Sequence, residues 1–104
     1  MTTIEGYGAS LEYDDAQIII HLNKVSAKVT GTTGLRVPRA DIAHIKFRDA
    51  SMMINGEIRF TVTGDPNSYA MPAADKPVPH NAFLVHFRKK DGAAFRAAFE
   101  ELAG

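Results

Sequence analysis

Mainly β with one C-terminal α-helix, an antiparallel β core closed by that helix, is the fold class this sequence predicts. Three observations predict it. Short runs alternate apolar and polar residues with a period of two, as half-buried strands do. Clusters of glycine, proline and aspartate punctuate those runs. The closing stretch DGAAFRAAFEELAG then changes period, placing Phe95, Phe99 and Leu102 at i, i+4 and i+7. A chain of 104 residues, 45% apolar and 23% charged, can bury one modest core but not two.

The first strand is expected over 7–13, with Tyr7, Ala9, Leu11 and Tyr13 on one parity. Asp14, Asp15 and Ala16 form a polar turn, and a second strand follows over 17–23, where Ile18, Ile20 and Leu22 alternate with Ile19, His21 and Asn23. From Lys24 to Thr30 the alternation weakens through Val25, Ala27 and Val29, which reads as an edge extension or an irregular connection. Gly31 to Gly34 break the pattern, and a brief strand, 35–37, stops at Pro38, which has no N–H to give a ladder.

The stretch 42–62 is expected to be the central hairpin. Its strands, 42–48 and 57–62, meet at Asn55-Gly56, a dipeptide that readily supplies the positive φ of a tight turn. Ala43, Ile45 and Phe47 take one face, and Ile42, His44, Lys46 and Arg48 the other; Ile58, Phe60 and Val62 alternate with Glu57, Arg59 and Thr61. The segment 63–81, with Gly64 and prolines 66, 72, 77 and 79, has no periodicity and reads as a long surface loop. The last strand is expected over 82–88, with Phe83, Val85 and Phe87 on one face. The helix is expected over 92–103, with Asp91 as its N-cap and Arg96 placed to pair with Glu100. Alone it is marginal in water, so its phenylalanines must dock on the sheet.

Composition excludes several functions. Twelve basic and twelve acidic residues leave no surplus of Lys and Arg for general nucleic-acid binding, and no sequence-specific nucleic acid is expected. There is no cysteine, hence no disulfide, thiolate metal site or cysteine nucleophile. The N-terminus has no basic segment followed by an apolar run, and no apolar run approaches a membrane span, so a cytoplasmic protein is expected.

The order of motifs resembles a known family. LEYDDAQIIIHLNK, LRVPRADIAHIKFRDA, MMINGEIRFTVTG and NAFLVHFRKKDGAAFRAAFEELAG follow one another as in the bacterial pleckstrin-homology-like family of unknown function found in actinobacteria and their phages. The matching positions are Val37, Pro38, Ile42, Ile45, Phe47, Asn55, Gly56, Ile58, Phe60, Val85 and Phe87. The resemblance implies a single domain over 1–104: a pleckstrin-homology-like roll, with two nearly orthogonal antiparallel sheets and a helix capping one end. Members of that family often carry a second copy or a short C-terminal oligomerisation segment, and the sequence to Gly104 has neither. The family brings no catalytic residues, so no enzyme activity and no cofactor are implied.

Several residue groups invite functional readings. Phosphoinositide-binding domains of this fold cradle phosphates with cations on the first hairpin; here Asp14 and Asp15 stand in that turn and repel phosphate, so no specific phosphoinositide is expected. His21, His44, His80 and His86 lack metal-ligand spacing, and Asp41 with His44 forms no triad with a serine, so no metal or catalytic site is expected. Arg88, Lys89 and Lys90 form a short basic cluster able to make weak anion contacts. Lys24, Lys28, Arg36 and Arg39 are scattered.

Met52, Met53 and Ile54 cannot all face the core of a two-sided hairpin. Unless the long loop covers them with Tyr69 and Met71, these five residues make an adaptable apolar surface for a partner, which Ile19 extends. The expected function is therefore a non-catalytic interaction module that binds a protein partner or a second copy through strand edges and an apolar loop. Weak peripheral binding to an anionic membrane surface is the alternative.

Overall fold

A computed structural model describes residues 1–104, the side chain of His80 excepted. It contains two antiparallel sheets and a C-terminal helix. Strands β1 (Thr2–Glu5), β2 (Ala9–Tyr13), β3 (Gln17–Leu22), β4 (Gly34–Pro38) and the short β7 (Ala70–Met71) form one sheet in the order β1-β2-β3-β4-β7. Strands β5 (Ile42–Arg48), β6 (Gly56–Val62) and β8 (Leu84–Phe87) form the other in the order β5-β6-β8. Helix α1 (Lys24–Thr30) connects β3 to β4, and α2 (Gly92–Ala103) ends the chain. The two sheets touch through one backbone bridge, the Tyr7 N–H donating to the His86 carbonyl at 2.7 Å.

Register sorts the apolar residues into rows. Ile4, Leu11, Ile20, Leu35 and Ala70 stand side by side across all five strands of the first sheet, and Tyr13, Ile18 and Val37 make the next row. In the second sheet Phe47, Ile58 and Val85 form the matching row. These two inner faces, with Phe60, Phe87, Phe95, Ala98 and Leu102, make one hydrophobic core. Ile19, on the opposite parity, is buried outside that core, beside Glu12 and Arg36, and extends no surface patch. Strand β1 was not anticipated: TTIE is polar and only half-buried at Ile4, so it carries almost no periodic signal.

Helix α2 docks through aromatic rings. Phe95 stacks on Phe87 with centroids 4.6 Å apart, Phe87 on Phe47 at 5.5 Å, and Phe47 on Phe99 at 5.2 Å. The Tyr13 hydroxyl donates to Glu101 at 2.8 Å, and burial, then that carboxylate, push its pKa up. Asp91 makes no side-chain cap; a 3-10 turn at Lys89–Asp91 leads into the helix instead. Arg96 pairs with Asp49 after β5, not with Glu100, because the helix lies against the second sheet and brings that carboxylate within reach. Its guanidinium also covers the Phe47 ring at 5.1 Å.

Several further expectations change. Residues 24–30 are a helix, signalled at both ends: the Asn23 side chain accepts from the Ser26 N–H at 2.8 Å, and Gly31 takes a left-handed φ of 75°. The Asn55-Gly56 dipeptide is not the hairpin turn. Gly56 begins β6 without a left-handed φ, and a Cβ there would run into the Phe87 ring. The register shifts between Ile42 and His44, so a bulge at Ala43 turns Ile42 inward with Ile45 and Phe47 and leaves Ala43 exposed.

The long loop differs as well. It carries a 3-10 turn (Pro66–Tyr69) and β7, with Tyr69 and Val78 buried, and it is tied back by Thr32 Oγ1 donating to the Pro72 carbonyl at 2.8 Å. The strand expected from 82 begins only at Leu84, after a 3-10 turn at His80–Phe83, and the one expected from 7 begins at Ala9.

Two substitutions test this packing by urea unfolding. Phe95→Ala is expected to cost about 3–5 kcal/mol, as for other buried aromatic truncations. Gly56→Ala is expected to cost about 1–3 kcal/mol, because Phe87 is held by Phe95 and cannot retreat.

Candidate functional site

The second sheet ends in a prong. Between β5 and β6 the chain closes a narrow turn, with the Ser51 N–H donating to the Ile54 carbonyl at 2.8 Å and the Ile54 N–H to Ser51 Oγ at 3.1 Å. Met52 and Met53 form the apex, 89% and 94% exposed, and Ile54 beside them is 59% exposed. The base is braced by Arg48, whose guanidinium donates to the Asn55 carbonyl at 2.9 Å, and by the pairing of Asp49 with Arg96. The apex is therefore held out by hydrogen bonds and an ion pair while its large side chains stay mostly exposed.

Tyr69 and Met71 do not join it. The Tyr69 hydroxyl donates to Asp41 at 3.0 Å and accepts from the Gly64 N–H at 3.0 Å, at the far end of the same hairpin. Seven residues of strand separate the two ends by about 20 Å. Burial and the bond to Asp41 push the Tyr69 pKa up, and its ring packs edge-on against Phe83. Met71 is half-buried at the edge of the first sheet beside Gly34. Of the five residues expected to share one surface, three do.

The outer face of the second sheet was not legible as a unit, since it depends on register. His44 pairs with Thr61; Lys46, Arg59 and Leu84 form one row; Arg48, Glu57 and His86 form the next. Glu57 serves both arginines, at 3.4 Å from Arg48 and 3.3 Å from Arg59. Lys46 has no acidic partner among the described residues and stands directly opposite Arg59. Because Phe87 pairs with Gly56, the exposed Arg88, Lys89 and Lys90 leave the sheet beside the base of the prong. Arg88 lies over the Tyr7 ring, 4.6 Å from its centroid.

A second apolar feature is a groove of about 270 Å³ where the sheets meet, lined in part by Tyr7, Leu22, Val25, Val29, Leu84 and His86. Val25 and Val29 are exposed on α1, which is why reading 24–30 as extended chain concealed it. The Nδ1 atom of His86 is buried there without a partner among the described residues.

The histidines do not converge. His21 pairs with Glu12 at 2.8 Å, His44 is exposed near the end of α2, and the His80 side chain lies outside the described residues. Among the described residues no three His, Asp or Glu side chains are grouped as a metal would need, and no helix is long and apolar enough to cross a membrane. In the β2–β3 turn Asp14 Oδ1 accepts from the Ala16 and Gln17 N–H groups at 2.8 and 3.0 Å, and these bonds hold its pKa below the ordinary carboxylate value. No family model, curated protein or solved structure matches the chain.

Two checks separate the fold-bearing residues from the free ones. Tyr69→Phe is expected to lower the urea midpoint, whereas Met53→Asp should leave stability within about 0.5 kcal/mol, since the side chain touches little. The lowered pKa of Asp14 contributes stability above its unfolded value, and that stability is lost as pH falls through the folded value. Asp14→Ala should therefore flatten the decline in stability below about pH 4, followed by thermal melts across an acid series.

Proposed function

We propose that this protein is a non-catalytic docking module, a pleckstrin-homology-like roll whose β5–β6 prong is covered by another macromolecule. The observation that carries this reading is the exposure of Met52 and Met53 at a hydrogen-bonded apex. Single exposed apolar residues are ordinary, but three large ones in sequence at the end of a braced turn are not. Fully burying each would contribute about 1.5–3 kcal/mol before the cost of association. That supports a weak to moderate docking contact.

The prong is favoured over strand edges. The exposed edge of β5 carries a bulge, Lys46 and Arg48, all devices that discourage pairing, and the edges at β1 and β7 are short or polar. The non-catalytic reading is supported by how the carboxylates are used: Asp41 receives Tyr69, Glu57 holds two arginines, Asp49 holds Arg96 and Glu101 receives Tyr13.

The roll, and membership of the bacterial pleckstrin-homology-like family, are supported by element order: a meander, a second antiparallel sheet and a closing helix. Helix α1 is an addition to that plan. A cysteine-free chain suits a reducing, cytoplasmic compartment. A protein partner or a second copy is one kind of occupant such a prong suits; the alternative, an anionic membrane surface, is favoured by the cations beside it.

A photoreactive diazirine side chain at position 53, irradiated in cells, tests the reading without assuming the occupant. Adducts at 53 in excess of those at position 25, also exposed, are expected. Solvent-quenched product alone at 53 rejects it.

A further inference from the structure

We infer that the surface this prong enters is an anionic lipid bilayer, with the outer face of β5-β6-β8 turned toward the headgroups. The inference rests on reading the prong as the docking element, and it adds the chemistry of the partner.

Charge complementarity is the first argument. The chain is neutral overall, yet register gathers Lys46, Arg48 and Arg59 on one sheet face against a single acid, Glu57. Arg88, Lys89 and Lys90 add to this field beside the prong's base. Lys46 directly opposite Arg59 is an unfavourable cross-strand pair, and Glu57, shared between Arg48 and Arg59, offsets it only in part. Anions supplied from outside would.

The second argument is where the apolar residues stand relative to those cations. Met52, Met53 and Ile54 lie at the apex of the same hairpin, beyond Arg48, with no acid at the apex. An apolar tip with cations in excess behind it, the one carboxylate at its base, Asp49, being held by Arg96, matches the layering of a membrane surface, where headgroups carry the charge and the acyl boundary begins about 5–10 Å below. Methionine suits that boundary because its flexible side chain needs no shaped pocket. Single-stranded nucleic acid fits less well: the outer rows of the sheet carry no Phe, Tyr or Trp for base stacking, and the exposed Tyr7 beside them already has Arg88 over one ring face.

The test is co-sedimentation with vesicles of phosphatidylcholine alone and of phosphatidylcholine mixed with phosphatidylglycerol, at about 0.1 and 0.5 M salt. The wild type is expected to bind the mixed vesicles at the lower salt, to lose most of that binding at the higher, and to ignore the neutral ones. Met53→Asp and Lys89→Glu/Lys90→Glu should each weaken binding about tenfold or more. Lys46→Glu separates binding from folding, because it replaces a like-charge pair by an opposite one. It should weaken vesicle binding while raising the urea midpoint.

Equal binding to neutral vesicles, or undiminished binding by Lys46→Glu or Met53→Asp, overturns the inference. So does capture of the protein by soluble polyglutamate with no dependence on Met53, which would assign the cations to an acidic macromolecule. If the wild type binds neither vesicle, the bilayer is rejected, while adducts at position 53 would still uphold the docking reading with a protein occupant.

Discussion

The stack of Phe95, Phe87, Phe47 and Phe99 is the contact on which the rest of the molecule depends. It joins the helix to the second sheet, and three of its four rings come from the strand-to-helix end of the chain. The stack sets local conditions in turn. Phe87 lies so close to the first residue of β6 that only glycine fits, so Gly56 serves the strand while the hairpin turn falls at Met52-Met53. The helix brings Arg96 over Phe47 and onto Asp49, fixing one side of the prong's base. The base of the exposed apolar tip is thus braced by how the core is closed.

The same packing separates structural from available polar groups. Carboxylates beside the core are engaged by a hydroxyl, as at Tyr13 with Glu101 and Tyr69 with Asp41, and the exposed Asp49 is held by Arg96. The cations of the outer sheet face outnumber the acids that could hold them, and Lys46 is left without one. A chain of zero formal charge can therefore carry a local positive field. Composition alone could exclude a globally basic protein but not this arrangement, because which charges share a face is decided by cross-strand register.

Much of the fold was legible because periodicity is local. Strands β2, β3, β5 and β6 and helix α2 fall within two residues of their expected bounds, and the Phe95–Phe99–Leu102 stripe docks as its spacing requires. What was not legible has identifiable causes. Val25, Ala27 and Val29 mimic a strand's parity, yet Asn23 and Gly31 cap a helix, and caps outrank a weak alternation. The bulge at Ala43 reversed Ile42 because the alternation rule assumes an unbroken ladder. In the candidate site, exposure of Met52–Ile54 followed from their crowding in sequence, whereas the separation of Tyr69 and Met71 from them depended on which end of the hairpin the loop returns to. No local pattern encodes that.

The prong and the basic face also bear on stability in opposite ways. Exposed methionines destabilise the folded state little, since an unfolded chain exposes them as well, so the apex can be apolar without weakening the core. The pair of Lys46 and Arg59 is different: Glu57 offsets it only in part, so it opposes folding, and a substitution to glutamate at position 46 would relieve it. A position where one substitution should improve stability, on the sheet face beside an exposed apolar tip, is where the demands of folding and of docking diverge. The rows of the inner face satisfy folding alone; the rows of the outer face do not, and that difference between two sides of one sheet is the strongest physical reason to look for the partner there.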